Sequence, residues 1–173
     1  MNQPIKSASN EYKVSPFYCI ETSGTTKRYI ASLQDEQRIF DFILKFFRIC
    51  ETEIELTIKN LSNPDSPIEY TGKKSVSDAF KAFTRYSGLL LHDGYQELVI
   101  KNPATGDYLV YDDHGLLFIY SDDDYESMFI RLALEHRPDQ KMIYDFPHWH
   151  IGISDGATQL KGLIDLLQLT TTA

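Results

Sequence analysis

The stretch "ELVIKNPATGDYLVYDDHGLLFIYS", residues 97–121, decides the fold class of this chain. It holds three short segments rich in apolar residues, at 97–102, 107–112 and 116–121, and turn-forming residues separate them. Apolar runs of about four to eight residues bounded by such turns are typical of strands, and the short connection "DHG" favours a hairpin. The stretch therefore predicts a three-stranded antiparallel meander.

The rest of the chain adds a second hairpin and several helices. "FYCIET" (17–22) and "KRYIAS" (27–32) predict a hairpin, and further strands are expected at 53–60, 141–146 and 149–154. Apolar residues at helical spacing predict four helices, at 32–50 with Ser32 in a capping box, at 75–87 with Ser75 as its cap, at 123–136 and at 155–169. The predicted class is α+β, an antiparallel sheet (hairpin plus three-stranded meander) packed against three or four helices.

Length and composition bound the organisation of the chain. Its 173 residues suit one domain, so we expect a loosely ordered segment at 1–15 and a single α+β domain at 16–173. No apolar run approaches the roughly 20 residues of a membrane helix, and the polar N-terminus lacks a secretory signal, which favours a cytoplasmic protein. The two cysteines, Cys19 and Cys50, are too few for a disulfide framework and are expected in the core.

The formal net charge of −8 limits the classes of partner. Nucleic acids and anionic membranes attract surfaces on which lysine and arginine are clustered, so neither is expected to bind this chain. An acidic protein is instead suited to a basic protein partner. No cofactor is expected, because the chain has no phosphate-binding loop, dinucleotide fingerprint or nucleophile elbow.

The segment "DFPHWHIGISDG" (145–156) contains the clearest pattern with a chemical interpretation. On a strand, His148 and His150 would share one face about 7 Å apart, and such a pair can bind zinc when a third ligand is near. The residues considered as third ligand lie near turns and are His114, Asp113, His92 and Asp93. The alternative, which the sequence alone favours, is that the two histidines face solvent while Trp149 packs inward.

A second pattern is a run of acidic residues. Between Lys101 and Arg131 the chain has no lysine or arginine, and the interval holds seven aspartates and glutamates together with four tyrosines. Tyrosines are enriched in binding hot spots, and carboxylates steer basic partners. The residues expected to bind a partner are Asp107, Tyr111, Asp112, Asp113, Asp122, Asp123, Asp124 and Tyr125.

Three functions follow from these patterns. The first is a non-catalytic domain that docks a basic protein, as an inhibitor or immunity-type protein covers a toxin, and it has no catalytic residue. The second is a metal-dependent hydrolase that uses His148, His150 and His114. The third is a structural protein that forms homodimers through an apolar strand or helix face. The first is the preferred prediction, and it makes an enzymatic activity the less expected outcome.

Overall fold

The computed structural model describes residues 6–172, apart from the side chain of Ser23. Within that range the helices are α1 (Glu36–Ile49), α2 (Val76–Arg85), α3 (Ser87–His92), α4 (Glu126–Arg131) and α5 (Gly156–Leu167), with a 3-10 turn at Ile143–Asp145. The strands are β1 (Ser7–Ala8), β2 (Phe17–Ser23), β3 (Thr26–Ser32), β4 (Glu53–Asn60), β5 (Ile68–Ser75), β6 (Gln96–Lys101), β7 (Tyr108–Tyr111), β8 (Leu117–Ser121), β9 (Glu135–His136), β10 (Trp149–His150) and β11 (Thr170–Thr171).

Most of these strands form one large sheet. Among the described residues it has nine strands in the order β11-β5-β4-β6-β7-β8-β3-β2-β9, while β1 and β10 pair separately. Neighbouring strands are antiparallel except β2 and β9, which are parallel. The α+β class is confirmed, but the predicted sheet of one hairpin plus a three-stranded meander is wrong. The two units are parts of a single sheet, since β3 pairs with β8.

The strands that sequence patterns missed lack the usual alternation. In β5 every residue is exposed or half-buried, so the strand "IEYTGKKS" has no apolar face to reveal it, although it pairs with β4 along its whole length. The strands β1, β9 and β11 have two residues each, which is too short for any periodicity. The strand expected at 149–154 is present only as the two residues of β10. The strand expected at 141–146 is wrong, because residues 143–145 form the 3-10 turn.

The helix boundaries correct one predicted cap and shorten one predicted helix. Helix α1 begins after Asp35, whose carboxylate accepts the N–H of Arg38 at 2.8 Å, so the cap expected at Ser32 is wrong. Helix α2 is capped by Ser75 as predicted, and the hydroxyl of Ser75 accepts the N–H of Asp78. The helix expected at 123–136 shrinks to α4, because Ala133 has a positive φ and β9 follows it.

The main core lies between the sheet and the helices. Aromatic side chains fill much of it, and Phe129 of α4 stacks on Phe42 of α1 with 5.5 Å between ring centroids. A smaller cluster combines alternate residues of β2 and β3, among them Cys19 and Ile30, with Leu116 and Met142. Cys19 and Cys50 are both buried, and burial raises the pKa of each thiol to about 11, as expected for core residues.

The first residues that the structure describes are packed against the fold. Of the segment 1–15, expected to be loosely ordered, residues 1–5 lie outside the described residues. The side chain of Lys6 is buried, and the ring of Tyr12 lies 5.7 Å from that of Phe146. Between residues 6 and 172, no helix has the length and apolar character that crossing a membrane requires.

Candidate metal site

Three of the five histidines meet at one edge of the fold. His114 lies in the turn between β7 and β8, and His148 and His150 lie 34 and 36 residues further along, at β10. The centroid of the His114 ring lies 4.9 Å from that of His148 and 5.0 Å from that of His150. One possible ligand atom from each ring lies within 4.8 Å of the other two. The structure therefore brings together the three histidines that the hydrolase hypothesis named.

The β7–β8 turn holds His114 in place. The carboxylate of Asp112 accepts the backbone N–H groups of His114 at 3.0 Å and of Leu116 at 2.7 Å, which closes the turn. Gly115 has a φ of 82°, a left-handed conformation that glycine adopts without steric cost. The short sequence "DDHG" thus fixes the backbone from which the imidazole projects.

The other two histidines are presented by β10. His148 and His150 alternate with Trp149, so their side chains share the face that looks toward the β7–β8 turn. Trp149 points the other way and is 51% exposed. The expectation that Trp149 packs inward while the histidines face solvent is wrong, because β10 pairs with β1 at the surface and only its histidine face meets the body of the protein.

Each imidazole has an oxygen partner at Nδ1. His148 Nδ1 lies 2.8 Å from the Phe146 carbonyl oxygen, His150 Nδ1 lies 3.2 Å from the Asp113 carbonyl oxygen, and His114 Nδ1 lies 2.8 Å from Asp113 Oδ1. These acceptors require the proton on Nδ1, which leaves the lone pair of a neutral ring on Nε2. Oxygen acceptors of this kind fix the ring orientation of histidines that bind metals.

The contact between His114 and His148 is informative. Their Nε2 atoms are 3.1 Å apart, and two lone pairs at that distance repel each other. The contact is favourable only when a proton or a cation lies between the nitrogens. Zinc bonds to histidine at about 2.0–2.1 Å, so two ligands of a tetrahedral ion are about 3.4 Å apart, close to the distance observed.

Carboxylates set the charge of the cluster. Burial lowers the pKa of His114, but hydrogen bonds and the charges of Asp112 and Asp113 outweigh this effect and raise it to about 9. Burial raises the pKa of Asp113, and the hydrogen bond and charge of His114 together with the charge of His150 lower it below its usual range. Without a metal, His114 is therefore an imidazolium that donates to Asp113 and to His148.

The surroundings leave one side of the cluster open. The side chains of His114 and His150 are 17% and 26% exposed to solvent. Two exposed aromatic residues flank them, Tyr144 at 5.7 Å from the His114 ring and Tyr95 at 6.0 Å from the His150 ring. A water molecule or a small ligand can thus reach the histidines from solvent.

The residues expected to bind a basic partner are spread over several environments. Four of the eight are buried, namely Asp107, Tyr111, Asp112 and Tyr125. Tyr125 donates to the carboxylate of Asp107 at 3.0 Å, and Asp113 belongs to the histidine cluster. The exposed remainder is Asp122, Asp123 and Asp124. The carboxylate of Asp124 lies 3.9 Å from the ammonium of Lys27.

Some predicted ligands lie elsewhere, and some neighbours of the site were missed. In the part of the chain that the structure describes, His92 and Asp93 belong to neither group of ligands, since His92 pairs with Glu36 at 3.2 Å and Asp93 accepts the N–H of Tyr95. Lys6 and Ser7 lie beside the histidines. No pattern in the polar N-terminal sequence indicates that these residues reach the site.

The comparisons with known proteins add no assignment. No family model, no curated protein and no solved structure matches the chain. The interpretation of the site therefore rests on its geometry and chemistry.

Proposed function

We propose that His114, His148 and His150 bind a divalent transition metal ion, and that the protein uses it as a hydrolytic centre. The observation that carries this proposal is the shared arrangement of the three rings. Each has an oxygen acceptor at Nδ1, and the rings gather on one side, where each offers a nitrogen within 4.8 Å of the others. The same arrangement leaves the Nε2 side of the rings available to a metal ion.

The ligand set favours zinc. Imidazole nitrogens suit zinc, copper, iron and nickel, and three histidines with one position left for water are typical of catalytic zinc. Both cysteines are buried in the core, so no thiolate competes for the ion. The open side next to Tyr95 and Tyr144 supplies access to the fourth position.

The position of Asp113 between His114 and His150 supports a role in hydrolysis. A metal ion of this type lowers the pKa of its bound water to about 7 and so supplies hydroxide near neutral pH. One oxygen of Asp113 holds Nδ1 of His114, and the other lies 3.8 Å from Nε2 of His150. If the three histidines held a metal ion, this second oxygen would lie near one of its ligands and could accept a proton from bound water.

Metal binding is tested by titrating chelator-treated protein with zinc. We expect one equivalent to bind, measured by elemental analysis after gel filtration. Cobalt or copper should quench the fluorescence of Trp149, the only tryptophan, which is next to two ligands. His148→Ala should abolish both effects. His92→Ala removes a histidine outside the cluster and should bind normally, so equal loss in both variants would contradict the site.

Hydrolysis is tested with p-nitrophenyl acetate as a generic probe. We expect zinc-loaded protein to cleave it faster than chelator-treated protein, with a rate that rises near pH 7 as bound water ionises. Asp113→Asn should lower the rate by at least tenfold while zinc stays bound. A zinc-loaded protein that is no faster than its metal-free form on esters and on activated phosphate esters would refute the hydrolytic role and leave a binding protein.

A further inference from the structure

We infer that residues 6–9, the N-terminal clamp, position the metal ligands, so that metal binding and closure of the clamp stabilise each other. The inference rests on the proposed metal site, and it concerns residues that do not themselves bind the ion. Lys6 and Ser7 are its positioning residues. Their role follows from the contacts that they make with both segments carrying histidines.

The clamp contacts both segments through backbone and side-chain groups. Toward the β7–β8 turn, the hydroxyl of Ser7 donates to the carbonyl of His114 at 3.0 Å. Toward β10, Ser7 and Ala8 pair with His150 and Trp149, and the carbonyl of Lys6 accepts the N–H of Ile151 at 2.7 Å.

Two further observations show how much β10 depends on the clamp. The hydroxyl of Ser9 donates to the carbonyl of Pro147 at 2.7 Å, just before the first ligand of the pair. Within the described residues, β10 has no strand partner other than β1. Direct contacts between the ligand segments come from the rings, from His150 to the Asp113 carbonyl and from His150 to the Asp113 carboxylate at 3.8 Å, and the N–H of Gly94 also donates to the carbonyl of Ile151 at 2.7 Å. The clamp adds backbone bonds that join the same two segments.

Lys6 anchors the clamp. Its side chain is 1% exposed, and its ammonium donates to the carbonyl of Gln96 at 2.5 Å and lies 4.4 Å from the centre of the Tyr111 ring. Burying a charged group is costly unless specific partners compensate it, so these contacts mark one defined position for the chain. Gly94 permits that position, because a Cβ on residue 94 would lie only 2.2 Å from the carbonyl oxygen of Lys6.

Clamp closure and metal binding fix the same atoms. Closing the clamp orders the backbone of His114 and of β10, and a metal bound by three nitrogens holds those same segments together. Whichever event comes first lowers the conformational entropy that the second must remove. Because such coupling is reciprocal, a weaker clamp weakens the metal site, and a bound metal closes the clamp.

The first experiment measures zinc affinity in two clamp variants. Ser7→Ala removes the hydrogen bond to the His114 carbonyl, and Lys6→Met keeps the length of the side chain without its ammonium. We expect zinc to bind five- to tenfold more weakly in each, on the order of what outer hydrogen bonds to ligands contribute. The control is Ser75→Ala, which removes the cap of α2 away from the site and should bind within twofold of the wild type.

The absorption spectrum of the cobalt-substituted protein separates positioning from general stability. The intensity and position of the d–d bands report the coordination geometry. We expect Ser7→Ala to change them and Ser75→Ala to leave them unchanged. Unchanged spectra and affinities in both clamp variants would overturn the inference.

The second experiment needs no clamp variant. Trypsin cleaves after lysine, and cleavage after Lys6 requires the clamp to open, so its rate reports the open population. We expect zinc at 100 times its Kd to slow this cleavage more than tenfold. In His148→Ala zinc should give no protection, which controls for effects on trypsin itself.

The outcomes distinguish the two proposals. Wild-type protein that binds zinc but is cleaved after Lys6 at the same rate with and without it would refute the clamp and leave the metal site intact. Wild-type protein that binds no zinc would refute the metal site, and the clamp's role with it.

Discussion

Zinc binding should expel a proton from His114, and this is the sharpest quantitative expectation for the site. In the metal-free protein, Asp112 and Asp113 raise the pKa of His114 to about 9 against the opposing effect of burial. A zinc ligand must be neutral, so the imidazolium has to lose its Nε2 proton when the ion binds. The hydrogen bond from Nδ1 to Asp113 remains in place.

The size of the effect follows from that pKa. At pH 7 a group with a pKa of about 9 is about 99% protonated, and removing its proton costs about 2.7 kcal/mol. Binding should therefore release about one proton from His114 per zinc. From pH 6.5 to 8, the contribution of His114 should strengthen the zinc affinity about tenfold per pH unit.

Calorimetric titrations at pH 7 in two buffers of different ionisation enthalpy measure the proton release directly. The matched variant is Asp113→Asn, which removes the closer of the two carboxylates. The pKa of its His114 should be lower than in the wild type, although the hydrogen bond to Asp112 still raises it, so zinc binding should release a smaller fraction of a proton. Stoichiometric zinc binding without proton release in the wild type, or with equal release in both proteins, would refute this account of the charges.

Other perturbations test the charge of the site, the core, a helix cap and the acidic residues. The pKa of His114 is raised in the folded state, so protonated His114 stabilises the metal-free protein fully below about pH 6.5, and this stabilisation is lost as the pH rises through about 9. Urea unfolding with chelator should show that the free energy of unfolding falls by at most about 3 kcal/mol over this range. Phe129→Ala should cost about 3–5 kcal/mol in the same assay, because the ring is fully buried and stacked on neighbouring aromatic rings, whereas unchanged stability would contradict that packing. Ser75→Ala should cost about 1 kcal/mol through loss of the hydrogen bond to the N–H of Asp78. If a basic protein binds, Asp122→Lys with Asp123→Lys should slow association and reduce its salt dependence, and surface plasmon resonance with identical rates for both proteins would reject this docking surface.

Sequence patterns predicted an element correctly where the residues of one short segment determine its structure. The three strands of the meander are all present, because alternation and turn residues act over a few positions. The cap at Ser75 was predictable for the same reason. The strand β5 was not, since its half-exposed residues lack a periodic apolar face and only its pairing with β4 makes it a strand.

Part of the candidate site was likewise predictable from local sequence, and part was not. The spacing of His148 and His150 predicted that the two rings share a face, and His114 stood among the ligands considered. The sequence favoured solvated histidines, however, because nothing local indicates what the face of a two-residue strand will contact.

What the sequence determined by itself is therefore the α+β class, the meander, one helix cap and a pair of histidines with a common direction. The tertiary structure alone decided that the turn at His114 meets that pair and that Lys6 and Ser7 tie the two segments together. The reason is physical: strand alternation is a property of neighbouring residues, whereas contacts across 34 or 107 residues depend on the register and closure of the whole sheet.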